Sequence, residues 1–149
     1  MTDYRDIRTT FILHPPVDDA ASWHMTVDGF VQALTRSFPD AFTKFRTSHL
    51  RGNDVVDFEV EVGPGIWIEG TAQTPVPECG VITLALASAT EAARFATWVR
   101  DDLIPSPGIL RFSTEPAMQA GSQDEWTVPA AGDEEAMTVV FLEHLAAFG

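Results

Sequence analysis

The sequence predicts one α+β domain over residues 1–149, an antiparallel β-meander of five to six strands with three helices packed on one face. Three observations lead to this. Four strand-like runs follow one another between Phe42 and Ala87, separated only by the turn-rich stretches "RGN", "GPG" and "PVPECG". Three other stretches carry apolar residues at helical spacing. The 149 residues, 45% of them hydrophobic with ten Phe and four Trp, supply one buried core and would starve two.

The first element, Ile7 to Leu13, sets Ile7, Phe11 and Leu13 on one side and Arg8 and Thr10 on the other. "HPP" stops it, because consecutive prolines cannot continue a ladder, and the strand is expected at an edge. From Thr26 the residues Val27, Phe30, Val31, Leu34 and Phe38 follow a helical period that Pro39 ends. Gly29 costs that helix ~1 kcal/mol relative to Ala, which suggests close packing or a tolerated weakness.

The meander comprises Phe42 to Leu50, Asp54 to Val62, Gly65 to Thr74 and Val81 to Ala87. Alternation turns Phe45, Thr47, Val56, Phe58, Val60, Val62, Ile66, Ile68, Ile82, Leu84 and Leu86 toward the helices. Ser88 followed three residues later by Glu91 is a capping box. It opens a helix to about Leu103 whose stripe is Ala92, Phe95, Ala96, Val99 and Leu103, stopped by "PSPG". A strand over Ile109 to Glu115 follows, then a polar loop from Pro116 to Gly132 that "EWTV" interrupts with a short strand or docked segment. Asp133, Glu134 and Glu135 suit the positive end of a last helix, whose stripe is Met137, Val140, Phe141, His144, Leu145 and Phe148.

Register decides what the opposite face carries. Centring the "GPG" turn on Pro64 sets Val60 against Ile68 and Glu59 against Glu69. Centring the preceding turn on Gly52 and Asn53 sets Phe45 against Val60, Arg46 against Glu59 and Lys44 against Glu61. A slip of one residue would bring Phe45 against a carboxylate, so the apolar and charged patterns select the same parity. The face away from the helices then holds Asp57, Glu59, Glu61 and Glu69 around Trp67, with Lys44 and Arg46 too few to balance them.

The plain reading of that face is a solvated surface whose cross-strand ion pairs contribute ~0.2–1 kcal/mol each. The functional reading makes Asp57, Glu59, Glu61, Trp67 and Glu69 a partner-binding site, with the indole as anchor and the carboxylates steering a basic protein. A third reading has Arg111 or the C-terminal segment fold over the patch and neutralise it.

Charge distribution narrows the partner. Net charge is −13, yet residues 1–51 cancel, while residues 52–149 hold sixteen acids against Arg94, Arg100 and Arg111 alone. Nucleic acid and anionic membranes are not expected as partners. "MTDYRDIR" lacks the basic and apolar regions of a signal peptide, and runs such as "LALA" are far short of a membrane span, so a cytoplasmic location is expected. Cys79 stands alone, which excludes an internal disulfide and a thiolate metal cluster.

No motif names a reaction. His14, His24, His49 and His144 have no metal-ligand spacing, and His144 lies on an apolar stripe where a packed histidine is expected. Cys79 is a poor nucleophile beside Glu78. "GPGIWIEG" is a hairpin turn and not a phosphate loop, since no helix follows it. Paired carboxylates doing acid and base work would need a cleft that desolvates one of them. No catalytic residue, cofactor or metal is therefore expected. The leading expectation is a non-catalytic acidic module that binds a basic protein, with the general character of an immunity or antitoxin-like inhibitor. One alternative is a secretion-chaperone-like homodimer. Another is a small-ligand-binding domain or enzyme with a pocket between sheet and helices near Trp23, Trp98 or Trp126.

Overall fold

A computed structural model describes residues 4–47, 54–76, 78–105 and 109–148. The strands are β1 (Thr9–His14), β2 (Phe42–Thr47), β3 (Asp54–Gly63), β4 (Ile66–Val76), β5 (Cys79–Ala87), β6 (Arg111–Thr114) and β7 (Trp126–Thr127). They form one antiparallel sheet in the order β2-β3-β4-β5-β1-β6-β7. The helices are α1 (Val27–Ser37), α2 (Ala89–Trp98), α3 (Glu115–Gln119) and α4 (Glu134–Phe148). The class is α+β, as the alternation and helical periods require, and β2 to β5 are neighbours in chain order, the signature of a meander.

The helices cover one side of the sheet, and two aromatic clusters fix them there. Phe30 of α1 lies 5.2 Å from Phe58 of β3, and Phe95 of α2 stacks on the same ring at 5.4 Å and 14°. Trp98 closes this cluster against Phe38 and Phe95, while its indole N–H donates to Ser37 Oγ at 2.8 Å. Farther along the sheet, Phe141 of α4 meets Phe11 of β1 at 5.1 Å and Phe112 of β6 at 4.6 Å. Apart from the half-buried Phe38 these rings are buried, so each contributes area burial plus about 0.5–1.5 kcal/mol per aromatic pair. Among the described residues, no helix is long and apolar enough to cross a membrane.

Local signals place the helix ends. Thr26 caps α1 by accepting from the Gly29 N–H at 2.9 Å, and a side chain at Gly29 would crowd that same hydroxyl. The capping box of α2 is complete: the Glu91 N–H donates to Ser88 Oγ at 3.2 Å, and the Ser88 N–H donates to Glu91 Oε1 at 3.1 Å. Beyond Trp98 the backbone widens into a π-turn over Val99–Leu103, which carries the apolar stripe on to Leu103 without continuing the α-helix.

Several expectations are corrected. β1 is not an edge strand but sits between β5 and β6; the prolines begin only after His14, so they interrupt neither of its ladders. The stretch Pro116 to Gly132 is not simply a loop, because it carries most of α3; the interruption expected at "EWTV" is the short strand β7. Thr114 caps α3 by accepting from the Ala117 N–H at 3.4 Å, and Pro116 fits the first turn, where no amide donor is needed. The β3–β4 register is as expected, with Val60 opposite Ile68 and Glu59 opposite Glu69. The β2–β3 register is not: Phe45 faces Val56, Lys44 faces Asp57, and Phe42 faces Glu59, a displacement of four residues. Acids recur at every second residue of β3, so charge complementarity could not distinguish registers that differ by an even number. The same evenness keeps every side chain on its expected face. The connecting turn at residues 48–53, with His49, lies outside the described residues.

Two members of the expected inward set also move. Phe45 keeps the helix-side parity but is half-exposed, because β2 is the outermost strand. Leu86 is turned outward by a bulge: β1 spends one residue, Thr10, where β5 spends two, Ala85 and Leu86, and Leu86 takes φ +48°. Among the expected inward residues from Val56 to Leu84, Val56, Phe58, Val60, Ile68, Ile82 and Leu84 are all buried.

Candidate functional site

The sheet face opposite the helices can be read in rows across the strands. One row runs Phe42, Glu59, Glu69, Ala85 through successive cross-strand pairs of β2, β3, β4 and β5. The adjacent row runs Lys44, Asp57, Thr71, Thr83. On the other side Glu61 faces Trp67. All five residues expected to form the binding site, Asp57, Glu59, Glu61, Trp67 and Glu69, therefore share one contiguous patch. Trp67 is 51% exposed, and Glu59, Glu61 and Glu69 are exposed around it.

The charges on this face are poorly balanced. Arg46 Nε donates to Asp57 Oδ2 at 2.9 Å, an exposed pair that the corrected register creates in place of Arg46 with Glu59. Among the described residues, Glu59, Glu61 and Glu69 have no ion-pair partner. Glu59 and Glu69 stand directly opposite each other, an arrangement that destabilises a sheet. Arg111 does not relieve it: it sits on β6, separated from β4 by β5 and β1, and donates to Thr127 Oγ1. The C-terminal helix α4 packs on the opposite side, so neither element folds over the patch.

Two apolar residues join the patch that strand alternation had not assigned to it. Phe42 is 57% exposed beside Glu59, and Leu86 is 65% exposed one residue beyond Ala85. Phe42 was legible, because it lies three residues from the inward Phe45 and so has the other parity. Leu86 was not, since nothing in "LALASATE" marks the bulge. Its carbonyl is held by Arg8, whose Nη1 donates at 3.2 Å, while the same guanidinium grips both oxygens of Glu91 at 2.8 and 3.0 Å. Burial works against the Glu91 anion, but the Ser88 N–H and Arg8 outweigh it and hold the carboxyl below its ordinary pKa. The bulge that presents Leu86 is thus bolted to the N-terminus of α2.

The patch is also indented. A groove of about 270 Å³ lies across the two rows, lined by Phe42, Asp57, Glu59, Glu69, Thr71 and Thr83 among others. Gly70 permits the underlying shape: a Cβ there would strike the Thr83 carbonyl and come within 2.8 Å of Phe58 Cζ, so β4 approaches β5 and the core more closely than any other residue would allow.

Elsewhere the candidate chemistry is quiet. Among the described residues no group of His, Cys, Asp and Glu is placed to hold a metal ion. Burial pushes the Cys79 thiol above its ordinary pKa, which leaves it a weak nucleophile. His144 is buried in a box of Phe112, Trp126 and Phe148, with Nε2 2.8 Å from Thr114 Oγ1. His14 Nδ1 lies 2.7 Å from the Pro15 carbonyl, and His24 Nδ1 3.3 Å from Glu78 Oε1. Trp23, the other indole considered for an internal pocket, is buried and donates to the Ile109 carbonyl at 2.9 Å.

Comparison with protein-family models, curated proteins and solved structures gives no match. The fold and the patch define the class: one antiparallel α+β sheet, helix-covered on one side and open on the other.

Proposed function

We propose that this chain is a protein-binding module that receives a basic protein on the open face of its sheet, in the manner of an immunity or antitoxin-like inhibitor. The observation that carries this reading is the row Phe42, Glu59, Glu69, Ala85, flanked by Trp67 and Leu86. There the fold tolerates two opposed like charges and three large exposed apolar side chains in one place. Aromatic anchors within a charged rim supply affinity through desolvation and specificity through the charges. The carboxylates accelerate encounter with a cationic partner, an effect that salt suppresses.

A second copy of the chain is a poor occupant of this face, because it would bring the same uncompensated carboxylates against themselves. The test is affinity capture from the native cell extract, identification of a stoichiometric partner, and measurement of binding with both components purified. Affinity should fall with salt, with Glu59→Lys and with Trp67→Ala. An inhibitor role further requires that expression of the chain rescues cells from that partner's toxicity. A partner that ignores all three perturbations, or a metabolite that raises the thermal stability while no protein binds, would overturn the reading.

A further inference from the structure

Resting on that reading, we propose that the groove beside Phe42 receives an arginine side chain of the protein partner, making arginine the residue that the site selects. The groove, about 270 Å³ in volume, lies open on the sheet face, where a side chain delivered by a larger body can reach it. Its walls match a guanidinium in three ways. Glu59 and Glu69, opposed across β3 and β4, both line the groove and have no ion-pair partner among the described residues. A planar fork can engage them in a way that a point-charge ammonium cannot. Phe42, opposite Glu59 on β2, offers an exposed aromatic face for the guanidinium plane to stack on. Thr71 and Thr83, a cross-strand pair, offer hydroxyl acceptors for the remaining N–H groups.

The same surface already holds an arginine of its own. Arg46 reaches Asp57 with Nε to Oδ2 at 2.9 Å, on the row next to Glu59 and Glu69. An incoming arginine would repeat that contact one row over, with Phe42 added. Leu86 and Trp67 lie beyond the groove, where they would meet apolar surface flanking the arginine.

The experiment is a titration of the ¹⁵N-labelled chain with three capped tripeptides that differ only in a central arginine, lysine or citrulline. Arginine should shift the amides of Glu59, Glu69, Thr71 and Thr83 first, with lysine weaker and citrulline silent. Phe42→Ala should weaken the arginine peptide about two- to fivefold, and Phe42→Tyr should restore it. Phe42 is exposed, so both variants keep the fold, and their amide spectra verify that. Equal response to arginine and lysine, shifts spread over all acidic residues, or indifference to Phe42→Ala would overturn the inference. So would spermidine competing at the groove regardless of Phe42, which would mark a general polycation surface. Failure here is separable from failure of the docking reading. If the partner loses affinity with Trp67→Ala but not with Phe42→Ala or Glu69→Gln, the surface stands and the arginine groove falls.

Discussion

Glu59 and Glu69 face each other across the β3–β4 ladder, with Phe42 on one flank of the pair and Ala85 on the other. Two like charges in a directly opposed pair cost a sheet roughly 0.2–1 kcal/mol. Neutralising one should therefore stabilise the free chain while weakening its proposed interaction. Glu69→Gln is expected to raise the unfolding free energy by about that amount at low salt, and the gain should shrink toward zero at ~1 M salt, where the Debye length is about 3 Å. Urea unfolding at two ionic strengths reads the difference. A loss of stability in the variant would mean that Glu69 has a favourable partner.

Leu86 makes a similar case through its backbone. A non-glycine residue at positive φ stores on the order of 1–3 kcal/mol, and Leu86 does so with its side chain in solvent. Leu86→Gly should remove most of that strain and raise the unfolding midpoint, whereas Arg8→Ala should lower stability by about 1–2 kcal/mol by freeing the Leu86 carbonyl and half of the Glu91 clamp. Arg8 holds the Leu86 backbone carbonyl, which glycine keeps, so the gain and the loss should be close to additive in the double variant.

His144 gives the chain an acid-sensitive joint. Burial drops its pKa from 6.5 to about 4, and Nδ1 has no hydrogen-bond partner, so a protonated ring would carry an unanswered N–H within the aromatic box. The unfolded chain binds the proton more readily than the folded one between those values. Stability is therefore complete above about pH 6.5 and declines as pH falls toward about 4, by roughly 3 kcal/mol in total. His144→Gln should flatten this part of the pH–stability curve. An unchanged slope would show that other groups set it.

Arg100 pins the approach to α4. From within the π-turn its Nη1 donates to the Pro129 carbonyl at 3.1 Å and its Nη2 to the Gly132 carbonyl at 2.8 Å, while Asp101 takes Nε at 2.7 Å. Its hydrogen bond with Asp101 raises the pKa of the arginine, and the same bond lowers that of the carboxyl. Lysine cannot reproduce a fork shared between two carbonyls. Arg100→Lys should cost about 1–3 kcal/mol, and amide exchange should accelerate first in residues 130–137, ahead of the sheet.

How much of this was readable beforehand depended on whether a local rule acted alone. The α2 cap was legible because Ser88 and Glu91 are three residues apart and need nothing else. The β3–β4 register was legible because the three-residue stretch at Pro64 leaves little freedom. The β2–β3 register failed because it was centred on Gly52 and Asn53, and the apolar and acidic patterns of β3 both repeat with the period of the strand itself, so neither could correct the centre. Pro116 read as loop because proline breaks a helix interior, whereas here it lies in a first turn. Within the candidate site, parity placed Trp67 and the four carboxylates correctly and would have placed Phe42. Leu86 needed the bulge, which arises from how β1 and β5 fit together and leaves no mark in either segment.

The insertion of β1 between β5 and β6 has a bearing on how the chain reaches this state. Residues 9–14 must wait for partners at Ile82–Ala87 and Arg111–Thr114, so the chain must be made at least as far as Thr114 before the sheet can close. Until then the meander exposes an unpaired β5 rich in leucine and isoleucine, a template for wrong pairing between nascent chains. Assembly that waits on such distant contacts is slow, and refolding yield should fall as protein concentration rises. The excess of negative charge carried by residues 52–149 is then useful even before any partner arrives, because it keeps half-made molecules apart.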